Sequence, residues 1–105
     1  MISVTSLLWV WKGESTAGRW FFLTVPEDQS TEIRAEALSY RRGFGSVRVQ
    51  ATIDDPSPGS GQAVTWRTSV FPLNKGGYVL PVKAEVRRRA KLAAGDEVTV
   101  RLDLL

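Results

Sequence analysis

GGYVLPVKAEVRRRAKLAAGDEVTVRLDLL, residues Gly76 to Leu105, is the stretch from which the fold is read. Val98, Val100, Leu102 and Leu104 alternate with Thr99, Arg101 and Asp103, the period of two expected of a strand with one buried face. Gly95-Asp96 ahead of it supplies a turn. Pro81 has a fixed φ and no N–H to donate, so it ends a strand over Tyr78–Leu80 and opens a short helix with Val82, Val86 and Ala90 on one side. The tail is thus a strand, a short helix, a tight turn and a second strand.

The same punctuation continues upstream. Val64 to Phe71 reads as a strand with Val64, Trp66, Thr68 and Val70 on one face, and Pro72 stops it. Asp54 to Gly61, DDPSPGSG, concentrates Pro, Gly and Ser and is expected to be an exposed hairpin loop. Ser46 to Ile53 alternates with Val47, Val49, Ala51 and Ile53 inward, and Arg41 to Gly45, RRGFG, breaks a helix expected from about Thr31 to Tyr40. Glu27, Asp28 and Ser30 are placed to cap that helix, with Ile33 and Ala37 facing inward. Arg19 to Val25 is apolar on both faces, as a central strand would be, and Pro26 stops it. Ser3 to Trp11 is a further strand with Leu7, Trp9 and Trp11 on one face. The four tryptophans and four phenylalanines are expected mostly in the core.

The chain also repeats itself. Gly18 leads through Phe22, Leu23 and Val25 to Pro26 and Glu32-Ile33-Arg34, and Gly77 leads through Tyr78 and Leu80 to Pro81 and Glu85-Val86-Arg87. Both halves run glycine, aromatic strand, proline, helix with acid, aliphatic and arginine, then an alternating strand. The fold class expected is therefore all-β, a double-split β-barrel-like fold of two pseudo-repeated halves, each with one short helix.

At 105 residues and 43% hydrophobic, the chain suits a single domain over residues 1–105 with one core. It has no cysteine, which excludes a disulfide framework, a thiolate nucleophile and a cysteine-held zinc. It has no histidine, which removes the usual metal ligand and the usual general base near neutral pH. Ser69 and Thr68 have no histidine to activate them, and a lysine base would have to be buried beside them, which nothing in the sequence indicates; Asp54 and Asp55 are adjacent in an expected loop, a poor place to hold two carboxylates in fixed geometry. No enzyme activity and no cofactor are expected. The start, MISVTSLLWVWKGE, has no basic region or small-residue cleavage site, and its apolar run falls short of the roughly 20 residues of a membrane span. A cytoplasmic monomer without a membrane anchor is expected. The net charge is +3, but ten of the fourteen basic residues are arginine, which favours bidentate contacts to carboxylate or phosphate.

Leu80-Pro81, Glu85-Val86-Arg87 and the L-x-x-G-D-x-V-x-V run from Leu92 to Val100 resemble the swapped-hairpin module of AbrB- and MazE-type transcription regulators, in which two copies from two chains interlock into a double-split β-barrel. Here both copies lie in one chain, which resembles a single-chain branch of that architecture classed as a domain of unknown function. The resemblance rests further on Arg41–Gly45, Trp66–Pro72 and Gly76–Arg87, and spans nearly the whole chain. That branch is often found beside bacteriocin-protection (YdeI/OmpD-associated) segments. It implies a fold and no established activity.

Three groups of residues are candidates for function. Arg41-Arg42-Gly43-Phe44-Gly45 sets two guanidiniums beside glycines that admit an anion, with Phe44 as an apolar wall; the plainer alternative is a helix C-cap and turn. Arg67 and Ser69 share the face of their strand opposite Trp66, and with Arg42 and Tyr78 they would line a groove; the alternative is one wet face of an ordinary barrel strand. Arg87, Arg88, Arg89 and Lys91 form a basic helical cluster able to neutralise nucleic-acid phosphates, against the alternative of a solvated helix face. The expected function is non-catalytic binding of a small anionic ligand or peptide carboxylate in a groove of Arg41, Arg42, Phe44, Arg67, Ser69 and Tyr78. A protein partner is admitted. The competing expectations are a nucleic-acid-binding or antitoxin-type regulator using Arg87, Arg88, Arg89 and Lys91, and a structural partner-docking domain.

Overall fold

The structure is a computed structural model that describes residues 2–12, 19–39, 45–53, 63–73 and 76–105. Six strands, β1 (Ile2–Lys12), β2 (Arg19–Val25), β3 (Val47–Ile53), β4 (Val64–Pro72), β5 (Tyr78–Pro81) and β6 (Glu97–Leu104), alternate with two helices, α1 (Glu27–Ser39) and α2 (Ala84–Ala90). The strands close a barrel in the order β1-β2-β5-β4-β3-β6, with every neighbouring pair antiparallel. The mainly β barrel with two short helices agrees with the sequence reading.

Closure removes every sheet edge and leaves one inner face to fill. Alternate residues fill it: Val4, Leu23, Val49, Val70, Leu80 and Leu102 are all fully buried. Helix α1 covers β1 and β6 with Ser30, Ile33 and Ala37, which lie on one side of the helix, and α2 covers β4 with Val86 and Ala90. The Gly95-Asp96 turn joins α2 to β6 as the sequence implies. Gly95 takes a φ of +94°, Asp96 accepts the Ala93 N–H, and the turn is fastened to β1 by Gly95 N–H to Leu8 O and Leu8 N–H to Asp96 O.

The two halves are related by a pseudo-twofold axis. Exchanging β1 with β4, β2 with β5 and β3 with β6 returns the same ring of strands. Helices α1 and α2 begin two residues after Val25 and Val82, and both valines bond to the other half: Val25 pairs with Tyr78, and the Val82 N–H bonds Phe21 O at 2.8 Å. Anchored there, the registers coincide. Ile2↔Leu102 and Val4↔Val100 match Val64↔Ile53 and Trp66↔Ala51, while Trp9↔Phe22 and Val10↔Phe21 match Phe71↔Val79 and Pro72↔Tyr78. The pairs Leu23↔Leu80 and Thr52↔Arg101 map onto themselves, so the axis runs through both.

Several sequence expectations are corrected. Pro81 does not open α2 but is the last residue of β5, paired with Phe22; the helix starts three residues on at Ala84. Helix α1 starts at Glu27 rather than near Thr31, so Glu27 and Asp28 occupy its first turn, where carboxylates favour the helix dipole. Ser30 is accordingly inside the helix rather than capping it. The aromatic residues are not mostly core. Of those whose side chains are described, only Trp66 and Tyr78 are buried, while Trp9, Trp11, Trp20 and Phe71 are exposed. The second apolar face of β2 is an outer barrel face carrying Trp20 and Phe22, which the closed topology cannot bury.

Candidate functional site

The predicted groove is only partly assembled. Arg41, Arg42 and Phe44 lie outside the described residues. Tyr78 is in the core, 7% exposed, with its backbone N–H donating to Ser30 Oγ at 3.2 Å, so its ring does not line a groove with Arg67. Ser69 is half-buried on β4 opposite Arg48 of β3. Arg67 is exposed on the same strand and faces different company.

That company is a cleft of about 420 Å³ between β4, β5, β2 and the start of α2. Arg67, Lys83 and Arg87 bring three cations to it, and Trp20, Phe21 and Trp66 supply aromatic walls. The Arg87 guanidinium is held on two sides. Its Nη1 donates to Val82 O at 2.7 Å, and its carbon lies 3.6 Å from the centre of the Phe21 ring, a cation–π contact. Partial desolvation lowers its pKa from the ordinary arginine value, but a guanidinium remains charged throughout the physiological range. With five N–H donors in a fork, Arg87 retains capacity to bind an anion while anchored. The contacts of Arg87 are thus a carbonyl and a ring.

A neighbouring hollow of about 330 Å³ shares Trp66, Arg67 and Lys83 with the cleft and adds Glu85 and Arg89. Within the basic cluster on α2, Arg87 is therefore in the cleft and Arg89 at its flank, while Arg88 is exposed. Lys91 caps the helix in the left-handed conformation at φ 56°, with its N–H directed to Arg87 O and Arg88 O. Arg88, Arg89 and Lys91 are thus exposed, while Arg87 is withdrawn into the cleft.

The pseudo-twofold supplies an internal comparison. A second cleft of about 420 Å³ occupies the equivalent place in the other half, where Thr24, Val25, Glu27 and Ser30 stand for Pro81, Val82, Ala84 and Arg87. Gly77, at φ +87°, stands for Trp20. Ser30 is buried, donating to Val25 O at 3.1 Å and accepting from Tyr78 N–H. The equivalent of a sealed serine is thus an arginine, and the equivalent of a glycine is a tryptophan. The first-half cleft sets Glu27 with Arg34, whereas the second-half cleft gathers three cations.

Sequence reasoning missed Lys83 and Trp20. The available signal was that β1 and β2 each carry apolar residues on both faces, while a closed barrel has a single inside. Among the described residues, no helix is long and apolar enough to cross a membrane. No curated protein matches the chain. The sequence profile of a domain of unknown function, DUF1905, matches residues 5–102. The match covers all six strands and both helices in whole or in part, and the chain belongs to the DUF1905 family.

Proposed function

We propose that the protein is a non-catalytic binding domain whose second-half cleft takes an anionic group, a carboxylate above all. The observation that carries this reading is the divergence of Arg87 from Ser30 at equivalent positions of two otherwise matching halves. A position needed only for the fold is met by a buried serine with two internal hydrogen bonds. Its counterpart places an anchored guanidinium beside Arg67 and Lys83 and against aromatic walls. Planar guanidinium forks match carboxylate geometry, and water is partly excluded by Trp20 and Trp66, which strengthens such contacts.

The interleaving of the halves, with β2 on β5 and β3 on β6, supports grouping the fold with the swapped-hairpin barrels of AbrB- and MazE-type regulators. Regulator-like DNA binding is the weaker reading, because Arg87 is folded onto Phe21 in the cleft rather than presented with the exposed basic residues of α2.

The test is a thermal-shift and tryptophan-fluorescence titration with citrate, phosphate and N-acetylglycine on the wild type, Arg67→Gln and Lys83→Gln. Both substituted side chains are exposed, so the variants keep the fold. A saturable response to a carboxylate that weakens in both variants supports the cleft; equal responses in all three proteins refute it.

A further inference from the structure

Beside the cationic cleft, on the outer face of β1, β2, β5 and β4, lies an apolar hollow of about 600 Å³. Trp9, Trp11, Trp20, Phe22, Phe71 and Leu73 form most of it, and among the described residues no charged side chain lines it. Trp11 is 51% and Trp20 54% exposed, so large rings stand in water. Contiguous exposed apolar surface of this kind marks an interaction site. The rings are fixed against one another. Trp20 stacks on Phe22 at 6.2 Å and 10°, Trp9 tilts onto Phe22 at 5.1 Å and 40°, and Trp9 Nε1 donates to Thr24 Oγ1 at 2.9 Å. Trp9, Trp20 and Phe22 are thus packed on one another before any partner arrives, which reduces the entropy lost on binding. It is also twofold-related within itself, since Trp9 and Trp11 are equivalent to Phe71 and Leu73.

Trp20 and Pro81 belong to both the shelf and the cleft. One continuous surface therefore runs from the apolar rings to the three cations, joined at Trp20 and Pro81. We infer that its occupant is an extended segment of a partner protein in which an aliphatic or aromatic side chain sits next to a carboxylate. The carboxylate enters the Arg67–Lys83–Arg87 cleft, and the apolar side chain lies on the shelf formed by Trp9, Trp20 and Phe71. This rests on the anion reading of the cleft and adds the class of partner.

Charge complementarity selects this occupant over the others. A second copy brought face to face would set its own cationic cleft near the first, and like charges across an interface are unfavourable. A nucleic-acid strand carries a phosphate at every step, whereas among the described residues no cation lines the shelf, and Trp20 and Phe22 already use ring faces on each other.

The experiment is selection from a random hexapeptide array with free C-termini, with affinities of the hits measured by fluorescence polarisation. Selected peptides are expected to pair an aliphatic or aromatic residue with an acidic residue or the terminal carboxylate. Neutralising that carboxylate, or using Arg67→Gln, is expected to weaken binding at least tenfold. Phe71→Ala, at an exposed position that lines the shelf and not the cleft, is expected to weaken the peptides at least tenfold while leaving the citrate response of the cleft in place. Peptides bound equally by Phe71→Ala overturn the inference and leave the anion reading standing. Failure to select any peptide, with citrate still bound, does the same. Loss of both responses overturns both. A concentration-dependent dimer that Trp11→Glu disperses, or binding to phosphatidylserine vesicles in preference to peptides, assigns the shelf to another occupant and also overturns the inference.

Discussion

Ser30 and Arg87 occupy the same place in the two halves of the barrel, and each donates to the carbonyl of the residue five positions earlier, Val25 at 3.1 Å and Val82 at 2.7 Å. Their backbone N–H groups are also matched, bonding Pro26 O and Lys83 O. One position has been used in two ways: to complete a core, and to set a charge at its edge.

Replacing each residue should separate those uses. Ser30→Ala leaves the buried Tyr78 N–H and Val25 carbonyl short of a partner and should cost about 2 kcal/mol of stability. Arg87→Gln loses the ring contact and the Val82 bond at a half-exposed site and should cost about 1 kcal/mol. Urea denaturation of both variants would show the difference. A smaller loss at Ser30 than at Arg87 contradicts the assignment of Ser30 to the core.

Leu23 and Leu80 face each other on the twofold axis, both fully buried. Either one cut to alanine should lower stability by about 2–5 kcal/mol, and the double variant should depart from additivity by more than about 0.5 kcal/mol because the two cavities merge. Additive losses would mean that the two side chains do not share one packing site.

Lys91 is the only described non-glycine residue at positive φ. Glycine takes the left-handed region without the steric penalty of a Cβ, so Lys91→Gly should raise the unfolding midpoint by an amount worth about 1 kcal/mol. Thermal melting decides it, and a lowered midpoint would show that the Lys91 side chain stabilises the fold.

Arg88 is exposed and lines neither the cleft nor the hollow beside it. Arg88→Ala should leave both stability and the citrate titration unchanged within about 0.5 kcal/mol. A short DNA duplex added at low salt should distinguish the regulator reading: a complex that forms with the wild type and is lost in Arg88→Ala would favour nucleic acid over the carboxylate cleft.

Alternation made the strands legible, since Val47, Val49, Ala51 and Ile53 and then Val98, Val100 and Leu102 face inward as their period requires. The internal repeat was legible too, but in the wrong register. Aligning Glu32-Ile33-Arg34 with Glu85-Val86-Arg87 sets Ile33 against Val86, whereas the barrel sets Ile33 against Ala90, about one helical turn further on. A slip of one turn returns a residue to the same helix face, so local pattern alone could not detect it. The prolines misled for a related reason. Pro26 follows its strand and Pro81 ends within its own, and only the pairing of Pro81 with Phe22 reveals the difference. Of the candidate site, Arg67 and Arg87 were named from sequence but in separate groups, because their proximity arises from α2 lying over β4. Tyr78 was misplaced because it begins β5, and which face of so short a strand points inward is decided by the whole barrel.

The pairing of Ile2 with Leu102 brings the first and last strands side by side. Because exchanging the halves reproduces the same ring, a circular permutant that joins Leu105 to Ile2 through a short linker, and opens between Ile53 and Val64, would run through its elements in the same succession as the parent. Such a rearranged chain should fold to the same barrel, and the two halves expressed as separate polypeptides should reassemble into it.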